Sequence, residues 1–113
     1  MNAASLPTQL NEAKNGLEDA QIAYCGAVVA HAEAKRALEL AKAYKLYEGV
    51  EGKNEAQREA KLRLELHAEH AALDEAEDAL TEARCSLDTA KLEWDLVRYQ
   101  VRMLEATVLP HAA

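Results

Sequence analysis

The chain has 113 residues, a formal net charge of −7, 24 alanines and no phenylalanine, with only four glycines and two prolines. This length suits one domain, and the acidic balance argues against broad binding to DNA or to anionic lipid. Because alanine favours helices but fills little volume, the composition argues against a thick globular core and favours long helices that approach closely.

The first predicted element is a helix over about residues 7–47. Apolar residues recur at alternating intervals of three and four, which is the heptad pattern of helices that pack along a seam. Large residues alternate with alanine along this stripe. Its members are Leu10, Ala13, Leu17, Ala20, Tyr24, Ala27, His31, Ala34, Leu38 and Ala41.

A turn is predicted over residues 48–54. Gly49 and Gly52 lie within four residues of each other, which is the strongest turn signal inside the chain. Asn54 is a suitable N-cap for the next helix, and Gln57 occupies its third position. This pair resembles a capping box, so we expect a new helix to begin at about residue 55.

The second predicted helix runs over about residues 55–108. Large residues recur every seven positions at Leu66, Leu73, Leu80, Leu87, Trp94, Val101 and Val108. The intervening seam position is occupied by Glu69, Ala76, Ala83, Ala90, Val97 and Leu104. Pro110 is expected to end the helix. The predicted fold is therefore all-α, a single domain over 1–113 formed by an antiparallel two-helix coiled-coil hairpin, which dimerisation would complete into a four-helix assembly.

A facing rule follows if the turn is centred near residue 51. Residue i of the first helix then lies opposite residue 102 − i. The first helix begins at about residue 7, so this end of it lies opposite about residue 95. The second helix would extend about 13 residues further, or about 20 Å. This predicted overhang is strongly apolar, and exposed apolar surface marks an interface. The residues predicted to form the interface are Leu87, Trp94, Val97, Arg98, Tyr99, Val101, Leu104 and Val108.

Charge is unevenly distributed. Residues 35–63 carry eight basic and five acidic side chains, whereas the rest of the chain carries five basic and fifteen acidic ones. The turn end is therefore mildly basic, with Tyr44 and Tyr47 close by in the sequence, and it is a candidate for contacts with phosphates and bases. Ion pairs with nearby glutamates are the alternative. The candidate nucleic-acid contacts are Lys45, Lys53, Arg58, Lys61 and Arg63.

Histidines and carboxylates are the candidate catalytic or metal-binding groups of the sequence. His67, His70 and Asp74 share one helix face, a spacing that could grip a metal, but the same spacing is common on solvated helices. His31 lies on the heptad stripe, where a polar residue more often sets the register of packing than acts as a ligand. We therefore predict no catalytic residue, no metal ligand and no cofactor.

The compartment is predicted from features that the sequence lacks. Two cysteines, Cys25 and Cys85, are too few for a disulfide-based secreted fold, and the facing rule puts them too far apart to pair. The N-terminal residues do not form a signal peptide, and no apolar run has the length of a membrane span. A cytoplasmic location without membrane association is expected.

Residues 52–60, with the sequence GKNEAQREA, resemble a pattern found in small uncharacterised helical proteins of bacteriophages and prophages. In those proteins a G-K-N-x-x-x-R stretch follows one helix and opens the next. The resemblance implies a phage or mobile-element protein, and an accessory role in DNA replication or recombination. It transfers no site residue.

The sequence thus supports two hypotheses about function. The first is a non-enzymatic interaction or structural module that acts as a homo-oligomer, with a dimer as the first expectation. The alternative is an accessory nucleic-acid-binding protein that uses the basic turn end. An enzyme is the least favoured class, since two packed helices offer no pocket that would perturb a catalytic pKa.

Overall fold

The computed structural model describes the backbone of residues 5–112 and the side chains of residues 5–107. It contains three helices, α1 over Leu6–Glu48, α2 over Glu55–Glu65 and α3 over His67–Ala112. Helices account for all regular secondary structure in the described part of the chain, and α1 packs against α3. The predicted all-α class with two long packed helices is therefore confirmed.

The chain divides into two compact units. The terminal unit contains residues up to Cys25 and from Glu82 onward, and the central unit contains Gly26–Thr81. Each unit contains a segment of α1 and a segment of α3, but only the terminal unit combines the two ends of the sequence, whereas the central unit is one continuous stretch.

The heptad stripes form the packed faces in both units. All ten predicted stripe residues of α1 are buried or half-buried, and the same holds for every predicted stripe residue from Leu66 to Leu104. The side chain of Val108 lies outside the described residues. In the terminal unit the buried residues are Leu6, Leu87 and Ala90. In the central unit Leu38, Leu62 and Leu66 form a buried cluster, with Ala41, Val50 and Leu73 packed around it.

Local signals account for the connection between α1 and α2. Gly49 follows the last residue of α1 with a φ of 95°, and its N–H donates to the carbonyl oxygens of Lys45 at 3.0 Å and Leu46 at 3.3 Å. A glycine in this conformation ends a helix without steric cost. Asn54 caps α2, since its Oδ1 accepts from the N–H of Gln57 at 2.8 Å. The Gln57 side chain in turn accepts from the N–H of Lys53 at 3.0 Å.

The helix of the second half of the chain is interrupted at Leu66, where one continuous helix was predicted. Leu66 has φ −102° and ψ 26°, yet its N–H still donates to the carbonyl oxygen of Leu62 at 2.9 Å. No glycine or proline lies nearby to signal the interruption. Leu66 is only 3% exposed in the central cluster, so we attribute the interruption to tertiary packing of this side chain, which the local sequence does not encode.

The predicted facing rule was wrong by about two helical turns. In the central unit His31 lies 3.5 Å from Glu77 and Lys45 lies 3.8 Å from Glu65, so the numbers of facing residues add up to 108 and 110 instead of 102. The helices run in opposite directions here, but the chain does not reverse symmetrically about the two glycines. Residues 51–60 are all exposed, because the loop and the first turns of α2 extend past the end of α1 before Leu62 returns to the core.

Candidate interaction surfaces

The predicted overhang was also wrong, for the same reason. In the terminal unit Leu10 lies beside Trp94 and Val101, and Ala13 lies beside Val97. The first helix therefore covers a segment that was expected to be uncovered.

The predicted interface residues divide into two groups. Leu87 is buried, and Trp94, Val97, Val101 and Leu104 are half-buried on the face that packs against α1. Arg98 and Tyr99 are exposed. Val108, whose side chain is outside the described residues, is not assigned to either group. Among the predicted residues whose side chains are described, Tyr99 is therefore the one large apolar residue that lies on the surface.

A second apolar stripe runs along α3 in the terminal unit, and the sequence reading missed it as a separate feature. We call it the outer stripe, and it consists of Leu92, Leu96, Tyr99 and Met103. Their exposures are 70%, 57%, 60% and 52%. The intervals of four, three and four residues place them in one row on the helix surface.

The outer stripe lies nearly opposite the face that packs against α1. Each member stands two residues after a packed position: Leu92 after Ala90, Leu96 after Trp94, Tyr99 after Val97 and Met103 after Val101. At about 100° per residue, the two stripes point about 160° apart around the helix. This segment of α3 is thus apolar on two opposite faces, of which α1 covers one. The sequence signal for the outer stripe is a second heptad series of apolar residues, each two positions after a residue of the packed series.

Charged and polar residues border the outer stripe on both sides. Asp88, Asp95 and Arg102 follow one edge, and Glu93 and Gln100 follow the other. Asp95 lies 4.0 Å from Arg98, which also stands over the ring of Trp94 at 5.8 Å from the ring centre. A central apolar row with charged edges is the surface pattern of a helix that packs against another helix.

The basic turn end belongs to the central unit, and several of its charges are paired. Lys45 lies 3.8 Å from Glu65, and the Lys61 ammonium donates to Glu51 at 3.2 Å. Lys53, Arg58 and Arg63 are exposed. The structure therefore places the five predicted contacts around one end of the central unit but joins two of them to carboxylates. Tyr44 and Tyr47 are exposed there, at 67% and 91%.

The histidine-bearing face of the central unit forms an open groove of about 450 Å³. It is lined by Ala60, Arg63, Leu64, His67, His70, Ala71 and Asp74. The two histidines and Asp74 thus share a surface, as their spacing predicts. Within the described residues no three histidine, cysteine or acidic side chains come together in a way that could hold a metal ion. His31, on the opposite helix, lies 3.5 Å from a Glu77 oxygen.

Cys25 and Cys85 are both free and exposed. The described helices include none that is long and apolar enough to cross a membrane. Models of known protein families, curated proteins and solved structures were compared with the chain, and none of them matches it.

Proposed function

We propose that this chain is a non-enzymatic interaction module, a helical hairpin that associates with a second copy of itself through the outer stripe of α3. The observation that carries the proposal is the row of four large apolar side chains, each more than half exposed, on the face of α3 that α1 does not cover. Contiguous exposed apolar surface of this kind marks protein interfaces.

The area of the outer stripe is sufficient for a dimer. If each of the four side chains has about 200 Å² to expose, their exposed fractions leave about 500 Å² of their surface in water on each copy. Complete burial between two copies would remove about 1,000 Å² from water through these side chains alone, which is about the minimum area of a biological interface. Burial of this area contributes more than the few bordering ion pairs do.

The proposed assembly places four helical segments of two terminal units in a row, in the order α1, α3, α3 and α1. It differs from a square bundle because the two apolar faces of α3 point in nearly opposite directions. The seam residues Trp94, Val97, Val101 and Leu104 then stabilise each copy, and the outer stripe joins the copies. Of the interface residues predicted from sequence, Tyr99 keeps a direct role, and Arg98 contributes only through its contact with Asp95.

The test is molar mass in solution by light scattering during size exclusion, over a wide dilution series. We expect a dimer for the unaltered chain and a monomer for Leu96→Glu, because a carboxylate would be buried in the centre of the stripe. Ile22→Glu is the matched control, since Ile22 is 71% exposed on α1 of the same unit and lies off the stripe. Helical content by circular dichroism should be the same in all three proteins.

Two results would overturn the proposal. One is a monomeric unaltered chain at the highest concentration reached. The other is equal loss of dimer in the Leu96 and Ile22 variants, which would indicate a general effect of added charge. Val101→Asp is a poor test, because Val101 is half-buried against α1 and its replacement would destabilise the fold itself.

The second candidate function is accessory nucleic-acid binding at the basic end of the central unit. The observation in its favour is the pair of exposed tyrosines, Tyr44 and Tyr47, close in sequence to exposed Lys53 and Arg58. Aromatic rings and cations together suit single strands. The resemblance to phage proteins points the same way. Binding of a single-stranded oligonucleotide at low salt, lost in a Lys53→Glu and Arg58→Glu double variant, would support it, and no binding at low salt would exclude it.

A further inference from the structure

The residues that border the outer stripe distinguish between the two ways in which two copies can face each other. We infer that the copies pack antiparallel about a two-fold axis near residues 97 and 98, with Asp95 of each copy paired to Arg102 of the other. This inference rests on the proposed self-association and adds its direction and its specificity-determining residues.

The pairing of apolar residues across the stripe sets the position of the two-fold axis. In an antiparallel pair, the apolar residues alternate so that Leu92 meets Met103 of the other copy and Leu96 meets Tyr99. All four large residues then have a large apolar neighbour, and the arrangement is symmetric. A closed two-fold dimer of this kind uses the same surface twice and leaves no open apolar end.

Charge favours this direction. With the axis between residues 97 and 98, the edge that holds Asp95 lies against the same edge of the other copy. Asp95 then lies about two residues, or about 3 Å along the axis, from the level of Arg102, which is within reach of these side chains. Symmetry makes this pair twice. Glu93, on the other edge, lies equally near the level of Gln100, so no like charges oppose each other along the stripe.

The parallel direction has the opposite charge pattern. In a parallel helix pair, a residue on one edge of the stripe lies near the residue five positions later on the other edge of the second copy. Asp88 would then lie near Glu93, and Asp95 near Gln100. Symmetry would make the Asp88–Glu93 pair twice, and the two carboxylates of each pair would repel each other. No opposite charges would meet. The same surface therefore disfavours the parallel dimer.

The first experiment is a charge exchange measured by the dimer dissociation constant. Arg102→Asp should weaken the dimer about tenfold, because each attractive pair becomes a repulsive one. Adding Asp95→Arg to the same chain should restore most of the affinity, since the opposite charges meet again in exchanged places. Lys14→Asp is the control with the same charge change, because Lys14 is exposed on α1 of the same unit, away from the stripe and its edges. It should leave the affinity within about twofold of the original.

The second experiment is disulfide trapping with both native cysteines replaced by serine. One chain carries Asp95→Cys and the other, made longer by a tag, carries Arg102→Cys. Antiparallel packing predicts a disulfide mainly between unlike chains in the oxidised mixture. Parallel packing predicts few disulfides of either kind, because the edge that holds both cysteines then faces the opposite edge of the other copy.

The outcomes separate the two proposals. A monomeric unaltered chain overturns the proposed function and this inference together. A dimer whose affinity is not restored by the exchange, or which gives mainly disulfides between like chains or none, overturns the antiparallel pairing alone. Restored affinity together with disulfides between unlike chains supports it.

Discussion

Leu66 and Leu64 provide a sharp test of how the central unit is stabilised. The two leucines are two positions apart, but Leu66 is 3% exposed in the cluster with Leu38 and Leu62, whereas Leu64 is 77% exposed. Replacement of a buried leucine by alanine typically costs about 2–5 kcal/mol, and the cost falls when neighbours can close the cavity. Because this cluster is small and half-buried residues surround it, we expect Leu66→Ala to cost about 2–3 kcal/mol.

Leu64→Ala is the matched control, since it removes the same atoms from an exposed position. We expect it to change the free energy of unfolding by about 0.5 kcal/mol at most. Unfolding in urea, followed by circular dichroism at equal protein concentration, measures both values, because self-association would otherwise add a concentration-dependent contribution. Equal effects of the two substitutions would refute the assignment of the core to the Leu66 side of the helix.

Three further predictions concern single positions. Gly49→Ala should destabilise the chain by about 1 kcal/mol, because Gly49 has a φ of 95°. Gly16→Ala should instead stabilise the chain by up to about 1 kcal/mol, since nothing lies within 4 Å of the added methyl group, and urea unfolding of both variants tests the contrast. Asn54→Ala should cost about 1 kcal/mol through loss of the bond to the Gln57 N–H, and an unchanged unfolding midpoint would contradict the cap. His31→Leu should raise the free energy of unfolding by about 1 kcal/mol, because His31 is half-buried at a seam position. A fall in melting temperature would show that the contact of His31 with Glu77 outweighs the gain in apolar burial.

Sequence periodicity was sufficient to predict the two long helices and their packed faces, but not the interruption at Leu66 or the continuation of α3 past Pro110. The 3–4 spacing from Leu10 to Ala41 and from Leu66 to Leu104 identified residues that the structure buries or half-buries, because a packed helix needs an apolar row at that period. The cap at Asn54 and the turn at Gly49 were equally local signals. These features depend on residues within one or two turns of each other, so one sequence contains them completely.

The register of the two helices could not be predicted in the same way. The two glycines at 49 and 52 marked where the chain leaves α1, but not how far α2 extends before it packs. That distance depends on the burial of Leu62 and Leu66 against Leu38, a contact between distant parts of the sequence. The error then carried through to Val97 and Val101, which the sequence reading placed on an open overhang.

The outer stripe was missed because it shares its segment with the stronger packed series. Between Leu87 and Leu104 apolar residues occupy both series, so the segment reads as generally apolar. Only the knowledge that α1 covers one series separates the exposed residues from the packed ones. Leu92, which lies before the predicted overhang, shows this most clearly, since it is 70% exposed.

The position of Trp94 has a practical consequence for spectroscopy. It is the only indole in the sequence, it belongs to the terminal unit, and its ring is half-buried with the guanidinium of Arg98 above it. Intrinsic fluorescence excited at the red edge of the absorption band therefore reports on the terminal unit alone. The central unit, whose aromatic residues include Tyr44 and Tyr47, is invisible at that wavelength. An emission trace would thus follow the terminal unit, and a far-ultraviolet trace of the same sample would follow the helices of both units, without any added label.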